Sequence, residues 1–258
     1  MIHAQSQPRS RFTGVSRIVE FNWPQYLVGA SCITIALAAI ALIDLPGWLI
    51  ACLLVGIGFA AWWLMASLVA SWWVYDRSPL MQLTWLATAS PKVSTVGSRV
   101  LNVHAGYDDT SETLTDAFPH SVIKVLDLFD AIRMTEPSIH RARKAYPAFP
   151  GTLTGNRDAW PFENTSFDVV LFMMSAHEFR IAHDREALLA EAKRVLAPHG
   201  VIVLVEHLRN VANLISFGPG FMHFWPRREW LRLPSVAGLR VVREGRITPL
   251  VGYFVLEN

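Results

Sequence analysis

Two short runs hold much of the polar chemistry in this 258-residue chain. Met174-Ser175-Ala176-His177-Glu178-Phe179-Arg180 follows one strongly apolar stretch, Glu206-His207-Leu208-Arg209 follows another, and His104 ends a third. A His–Glu pair is a combination used in general acid–base catalysis, in which an imidazole oriented by a carboxylate takes a proton from a hydroxyl or amine. On that reading His177, Glu178 and His207 are the catalytic candidates. Arg180, Glu206 and Arg209 stand beside them as candidate substrate contacts. The set His104, His177, Glu178, Glu206 and His207 also offers nitrogen and oxygen ligands suited to Mn, Fe or Zn, although no His-Glu-x-x-His spacing is present. A third reading is ordinary polarity at a sheet rim. The residue types leave all three open.

The elements that position these groups are legible as a pattern. From Arg99 onward short apolar runs alternate with helical stretches, the signature of βαβ units and a parallel sheet. Strands are predicted at Val100–Val103, Ile123–Leu128, Gly151–Thr154, Phe167–Met174 and Val201–Val205, with a final pair at Leu239–Arg243 and Leu250–Leu256. Helices are predicted at Thr110–Ala117, Pro137–Tyr146 and Arg185–Leu196, the last ending at Pro198-His199-Gly200. Asp109 with Glu112 resembles a capping box for the first of them. In such sheets ligands lie outside the carboxyl ends of the strands, where the strand order switches.

Residues 26–75 are different in kind. Hydrophobic residues make up 52% of the chain and charged residues 17%, yet between Tyr26 and Tyr75 only Asp44 is charged. Two apolar stretches flank the turn Asp44-Leu45-Pro46-Gly47, each close to the roughly 20 residues a membrane-crossing helix needs. The short turn predicts an antiparallel hairpin, preferred here over a signal peptide, which lacks a second span. Trp23, Tyr26, Trp72, Trp73 and Tyr75 fall where an aromatic belt would lie, and Trp62 and Trp63 read as helix packing. Arg9, Arg11 and Arg17 precede the hairpin and Arg77, Lys92 and Arg99 follow it, which predicts cytoplasmic termini and an inner-membrane, multi-pass protein. A net charge of +2 with no basic stripe argues against nucleic acid. Cys32 and Cys52 form neither a disulfide framework nor a metal-ligand spacing.

The order of motifs resembles the class I S-adenosylmethionine-dependent methyltransferases over residues 97–258. "RVLNVHAGYDDTSE" stands where that family has its first strand and glycine-rich loop. "IKVLDLFD" is similar to the second strand with its terminal acid, "TGNRDAWPFENTSFDVVLFMMSAHE" to the third and fourth motifs, and "EAKRVLAPHGVIVLVEH" to the fifth. The resemblance implies S-adenosylmethionine as cofactor, with Asn102, His104, Gly106, Asp108, Asp127, Asn156 and Met174 as its candidate contacts. Asp127 would take ribose hydroxyls, Asn156 the adenine edge, and Gly106 a close backbone approach. His104 and Asp108 replace two loop glycines, and Asn102 replaces an acid. Paired acids at a helix N-terminus would repel a pyrophosphate but suit the cationic S-adenosylmethionine.

The expected architecture is therefore α/β: a Rossmann-like, mostly parallel seven-stranded sheet with helices on both faces, preceded by a transmembrane helical hairpin. Its parts are residues 1–25, a cytoplasmic segment; 26–75, the hairpin; 76–96, a linker; and 97–258, the methyltransferase-like domain. After the fifth strand, "NLISFGPGFMHFWPRREWLRL" reads as a substrate-covering insertion that supplies His223 and Phe224, with Arg227, Arg228 and Arg232 either facing lipid head groups or simply solvated. Tethering at a bilayer suggests a small lipophilic acceptor of quinone, isoprenoid or aromatic-lipid type. Two alternatives remain: a metal-dependent group transfer on a quinone-like substrate, and a non-catalytic membrane-tethered scaffold.

Overall fold

The computed structural model describes residues 10–258, so Arg9 lies outside the described residues. Two almost wholly apolar helices come first, α1 (Thr13–Leu42) and α2 (Gly47–Trp72). Both are long and apolar enough to cross a membrane. They pack antiparallel, with the Tyr26 hydroxyl 3.2 Å from Ser67 Oγ and Leu64 packed so close to Gly29 that a Cβ there would lie 3.1 Å from its methyls.

The first helix begins at Thr13 rather than at Tyr26. It bends where Asn22 leaves helical geometry (φ −118°, ψ 15°), two residues before Pro24, whose ring crowds the preceding turn. The part before the bend is fastened to the rest of the molecule. The Gly14 and Val15 amides donate to Asp76 at 2.6 and 2.8 Å, and Arg141 Nε donates to the Phe21 carbonyl at 2.6 Å.

The predicted linker is corrected. After a π-helical turn (Trp73–Arg77) and a 3-10 turn (Leu80–Gln82) comes α3 (Thr84–Ala89), and Leu80, Leu83, Leu86 and Val93 are fully buried. They cover one face of the sheet, against Val100, Val169, Leu171 and Val203. Their helical pieces are too short to show a sustained 3.6-residue period, so the sequence reads as a loop.

The remaining elements are β1 (Arg99–His104), α4 (Ser111–Ala117), β2 (Val122–Asp127), α5 (Pro137–Ala145), β3 (Leu153–Thr154), β4 (Phe167–Met173), α6 (Ala182–Val195), β5 (Leu196–His207), α7 (Val211–Phe217), α8 (Arg227–Val236), β6 (Arg240–Arg246) and β7 (Val251–Glu257). They build a seven-stranded sheet in the order β3-β2-β1-β4-β5-β7-β6, in which only β7 runs antiparallel to its neighbours. The expected turn at Pro198-His199-Gly200 is an irregularity inside β5: Leu196 pairs with Phe167 and Val201 with Val169, and His199 takes φ 63°. The second face packs Leu101, Phe172, Ile202 and Leu204 against Leu188 and Leu189 of α6 and Trp230 of α8. Each such large buried side chain contributes about 1.5–3 kcal/mol. The strand order reverses between β1 and β4, so a ligand crevice is expected beyond their carboxyl ends.

Candidate active site

On the β1–β2 side this crevice is filled by the protein itself. Asn102 is buried and donates to Thr110 Oγ1 (3.0 Å) and Ser111 Oγ (2.8 Å). Asp108 Oδ1 accepts from the Thr110 and Ser111 amides, both at 3.0 Å. These two residues staple β1 to the first turn of α4 and lie outside the cavity wall, unlike the expected cofactor contacts. Asp108 covers the helix start where Asp109 was expected to, and Asp109 stands on the cavity wall instead.

His104, expected at the reaction rim, turns toward β2. Its Nδ1 accepts from the Gly106 amide at 3.3 Å and lies 3.5 Å from Asp127 Oδ1. Gly106 adopts φ 109°, and a Cβ there would come within 2.8 Å of Phe129. Arg143 of α5 pairs with Asp127, donates to the Gly106 carbonyl at 3.1 Å and stacks over the Phe129 ring at 4.3 Å. Asn156 lies in an exposed turn bridged to Ala159. Gly106, Asp127 and Asn156 are therefore not on the cavity wall.

The β4–β5 side is open. A cavity of about 900 Å³ lies between the strand ends and the helical hairpin. Met174 turns the chain into it through a left-handed backbone (φ 52°), a conformation that costs a side-chain-bearing residue about 1–2 kcal/mol. The next turn, Ala176–Glu178, hangs on Glu206, which is completely buried. Its Oε1 accepts from the Ala176 and His177 amides at 2.9 and 3.2 Å, and its Oε2 meets His177 Nδ1 at 2.6 Å. Glu206 thus holds His177 rather than contacting a substrate. His177 Nε2 is 3.3 Å from Glu178 Oε1, and His223 Nε2 is 3.8 Å from the same oxygen. The second Glu178 oxygen is buried without a hydrogen-bond partner.

Burial disfavours charge on His177, but the Glu206 and Glu178 carboxylates outweigh it and raise its pKa to about 10. Burial also opposes charge on Glu178, yet His177 and His223 hold it well below the usual carboxylate range. His207 goes the other way: burial, reinforced by the His177 charge, pushes it down to about 3. Its Nε2 lies 3.0 Å from the Tyr75 hydroxyl, and its ring stacks on Phe224 at 4.6 Å.

Met174, His177, Glu178 and His207 from the strand ends share the cavity wall with His223 and Phe224 from the insertion, while His104 is not part of it. Nor are Arg180 and Arg209. Arg180 donates to the His223 carbonyl, and Arg209 donates to Phe224 O (2.7 Å) and Met222 O (2.6 Å). Both clamp the insertion rather than reach a substrate. Arg227 and Arg232 pair with Glu244 and Glu229. Sequence reasoning missed Tyr75, Tyr107, Glu136 and Ser175, all on the cavity wall. Tyr75 sits at the end of an apolar run and was read as belt. Trp62 and Trp63 also serve docking: Trp62 Nε1 donates to Ile215 O at 3.2 Å, and Trp63 abuts Gly218.

Residues 120–204 match the family model described as a methyltransferase domain. The domain also superposes on a S-adenosylmethionine-dependent methyltransferase from Aquifex aeolicus with a TM-score of 0.52, at 16% identity over 69% of this chain and 92% of that one. The α/β domain has the fold of this S-adenosylmethionine-dependent methyltransferase, and its central part matches the methyltransferase-domain model. A methyltransferase-family relative in sequence is the probable phthiotriol/phenolphthiotriol dimycocerosates methyltransferase 2 of Mycobacterium ulcerans, 30% identical over 145 residues. The match covers 50% of this chain and 52% of that protein, so the chain spans about half the length of the curated relative it matches.

S-adenosylmethionine is the cofactor of this class of methyltransferase domain, and the residues present suit it. Asp127 ends β2 with a carboxylate beside the left-handed Gly106, an acceptor for the two hydroxyls of a ribose diol. Asp109 puts a carboxylate on the cavity wall, where a cationic head would be favoured. Arg143 occupies Asp127 and must release it for a diol to bind. With 35% of its side chain exposed, it has a route to solvent.

Proposed function

We propose that this protein is a membrane-anchored S-adenosylmethionine-dependent methyltransferase whose acceptor is a small lipophilic molecule of quinone, isoprenoid or aromatic-lipid type, methylated on oxygen. The observation that carries this reading is the composition of the cavity wall. One side is the strand-end rim with Glu178 and His223; the other is the hairpin, with Phe21, Tyr26, Trp63 and Leu64. An apolar acceptor then passes from the hairpin surface to the polar rim without crossing water. The lipid-modifying relative supports a lipophilic acceptor. Orientation with the domain in the cytoplasm at the inner membrane rests on the basic residues flanking the hairpin.

S-adenosylmethionine supplies an electrophilic methyl group. Asp127 and Gly106 would hold its nucleoside, and Asp109 with Ser175 would hold its amino-acid end. His177, charged at neutral pH, fixes Glu178 through Nε2 and is not itself a base in that state. Glu178 presents its unpartnered oxygen to the acceptor hydroxyl. His207, kept neutral and tied to Tyr75, shapes the wall with Phe224. Alignment supplies much of the rate in such a transfer, and the proton acceptor supplies a further factor.

The test uses the full chain in detergent or nanodiscs with methyl-labelled S-adenosylmethionine and an extract of membrane lipids. Label should move into the organic phase, and thermal-shift titration should show binding of the cofactor and its demethylated product. No cofactor binding at millimolar concentration overturns the proposal. Binding without labelled lipid overturns the acceptor class.

A further inference from the structure

We infer that His177, Glu178 and His223 form a site for one divalent transition metal at the cavity end of the sheet. One ligand atom from each lies within 4.8 Å of the others. Ligands bound at about 2.0–2.2 Å stand roughly 3.3 Å apart in a tetrahedral shell. His177 Nε2 and Glu178 Oε1 already have that spacing, at 3.3 Å. His223 Nε2 lies 3.8 Å from Glu178 Oε1, and the set as a whole, with its atoms within 4.8 Å of one another, closes to that spacing by a shift of the His223 side chain toward His177. Its residue belongs to the 3-10 turn Gly218–His223, whose carbonyl Arg180 holds in place.

The surroundings are those of a ligand set rather than of a loose ion pair. Glu206 holds His177 through Nδ1 at 2.6 Å, which directs Nε2 into the cluster. A carboxylate on the far nitrogen of a metal-ligating histidine is the usual outer partner that fixes the ring and raises its basicity. Glu206 is itself anchored by two backbone amides. Glu178 Oε2, beside the Oε1 measured above, is buried without a hydrogen-bond partner, so the carboxylate has a second oxygen free to bind the same ion. Glu178 and Glu206 bring two carboxylates to one buried spot, and a doubly charged ion balances them.

Two imidazoles and one carboxylate with the remaining positions open toward the cavity are a catalytic rather than a structural arrangement. The set favours Zn, Fe, Mn or Co over Mg or Ca, which prefer all-oxygen shells. The ligands differ from those the strand ends alone suggested: His104 lies beside Asp127, outside the cavity wall, His207 is bonded to Tyr75, and His223 enters from the insertion.

The test is Co(II) titration of the chelator-treated full chain in detergent, read by visible d–d absorption and by metal content after dialysis. One equivalent per chain is expected. H223A and E178Q should each weaken binding at least 10-fold, and E206Q by about 10- to 100-fold through loss of the outer partner, while H120A should bind as the unaltered chain does. His223 is one-third exposed, so H223A retains the fold, and its melting curve checks this. Absence of Co(II) binding to the unaltered chain, or H223A and E178Q binding like it, overturns the site. The methyltransferase reading is separate: cofactor binding without metal removes only this site, and metal binding without cofactor removes only that reading.

Discussion

The two sides of the crevice are built in opposite ways. Around β1 and β2, every polar group that departs from the family's glycine loop is held by another protein group. Asn102 and Asp108 bind the start of α4, His104 faces Asp127, and Arg143 closes over both Asp127 and Gly106. Around β4 and β5 the polar groups stand on the wall of an open cavity. Buried atoms without a hydrogen-bond partner occur on both sides, Asn102 Oδ1, His104 Nε2 and Asp108 Oδ2 on one and Glu178 Oε2 on the other, so the difference lies in access to the cavity. Unusual residues in a loop thus mark internal packing here, and the polar groups that line the cavity lie at the ends of β4 and β5 and in the insertion.

The largest test of that contrast is E178Q. It keeps shape and removes the charge on the open side, so methyl transfer should fall by about 10²- to 10⁴-fold with cofactor affinity within 2-fold, by single-turnover assay and calorimetry. A parallel loss of affinity would mean that the two sides are one unit. G106A acts on the closed side. A left-handed backbone and a 2.8 Å approach to Phe129 predict about 1–3 kcal/mol of destabilisation, read as a lowered unfolding midpoint. Y75F removes the hydroxyl that joins hairpin to rim, and should cost about 0.5–1.5 kcal/mol without affecting the Co(II) titration.

The contrast also has a pH signature. His207, neutral when folded with a pKa near 3 against an ordinary 6.5, makes the unfolded chain bind more protons below pH 6.5, so its contribution is lost as pH falls from 6.5 toward 3. His177, raised from 6.5 to about 10, stabilises fully below 6.5 and loses that contribution as pH rises toward 10. Each slope is at most about 1.4 kcal/mol per pH unit. With chelator present, H207N should flatten the acidic limb alone. The smallest expected effect is R143A, which frees Asp127 and should tighten S-adenosylmethionine binding by a few fold; weaker binding would make Arg143 a cofactor contact instead.

The sheet was readable because its strands are short apolar runs with turn residues between them, and β1, β2 and β4 fall within a residue or two of expectation. The rim histidines were readable because strand ends follow from strands. Three features were not. The segment from Leu80 to Val93 is too fragmented to show periodicity, although it covers a sheet face. Asn102 and His104 sit at positions where a family contact is expected, and only the side-chain directions reveal that they serve α4 and β2. Tyr75 ends an apolar run, and nothing local shows that its hydroxyl reaches His207, 132 residues further on.

Asp76 deserves a geometric reading. By binding the amides of Gly14 and Val15, it joins the beginning of α1 to the end of α2, so the hairpin is a closed loop of chain, and Arg141, Trp62 and Tyr75 tie its sides to the domain. Neither helix can slide along the other to meet a thicker or thinner bilayer. If the pair spans a bilayer, as proposed above, it would meet hydrophobic mismatch by tilting as a unit, at a cost of a fraction of a kcal/mol per ångström. The same helices wall the cavity, and on the membrane-anchored reading proposed above bilayer thickness would then set how the cavity mouth faces the lipid.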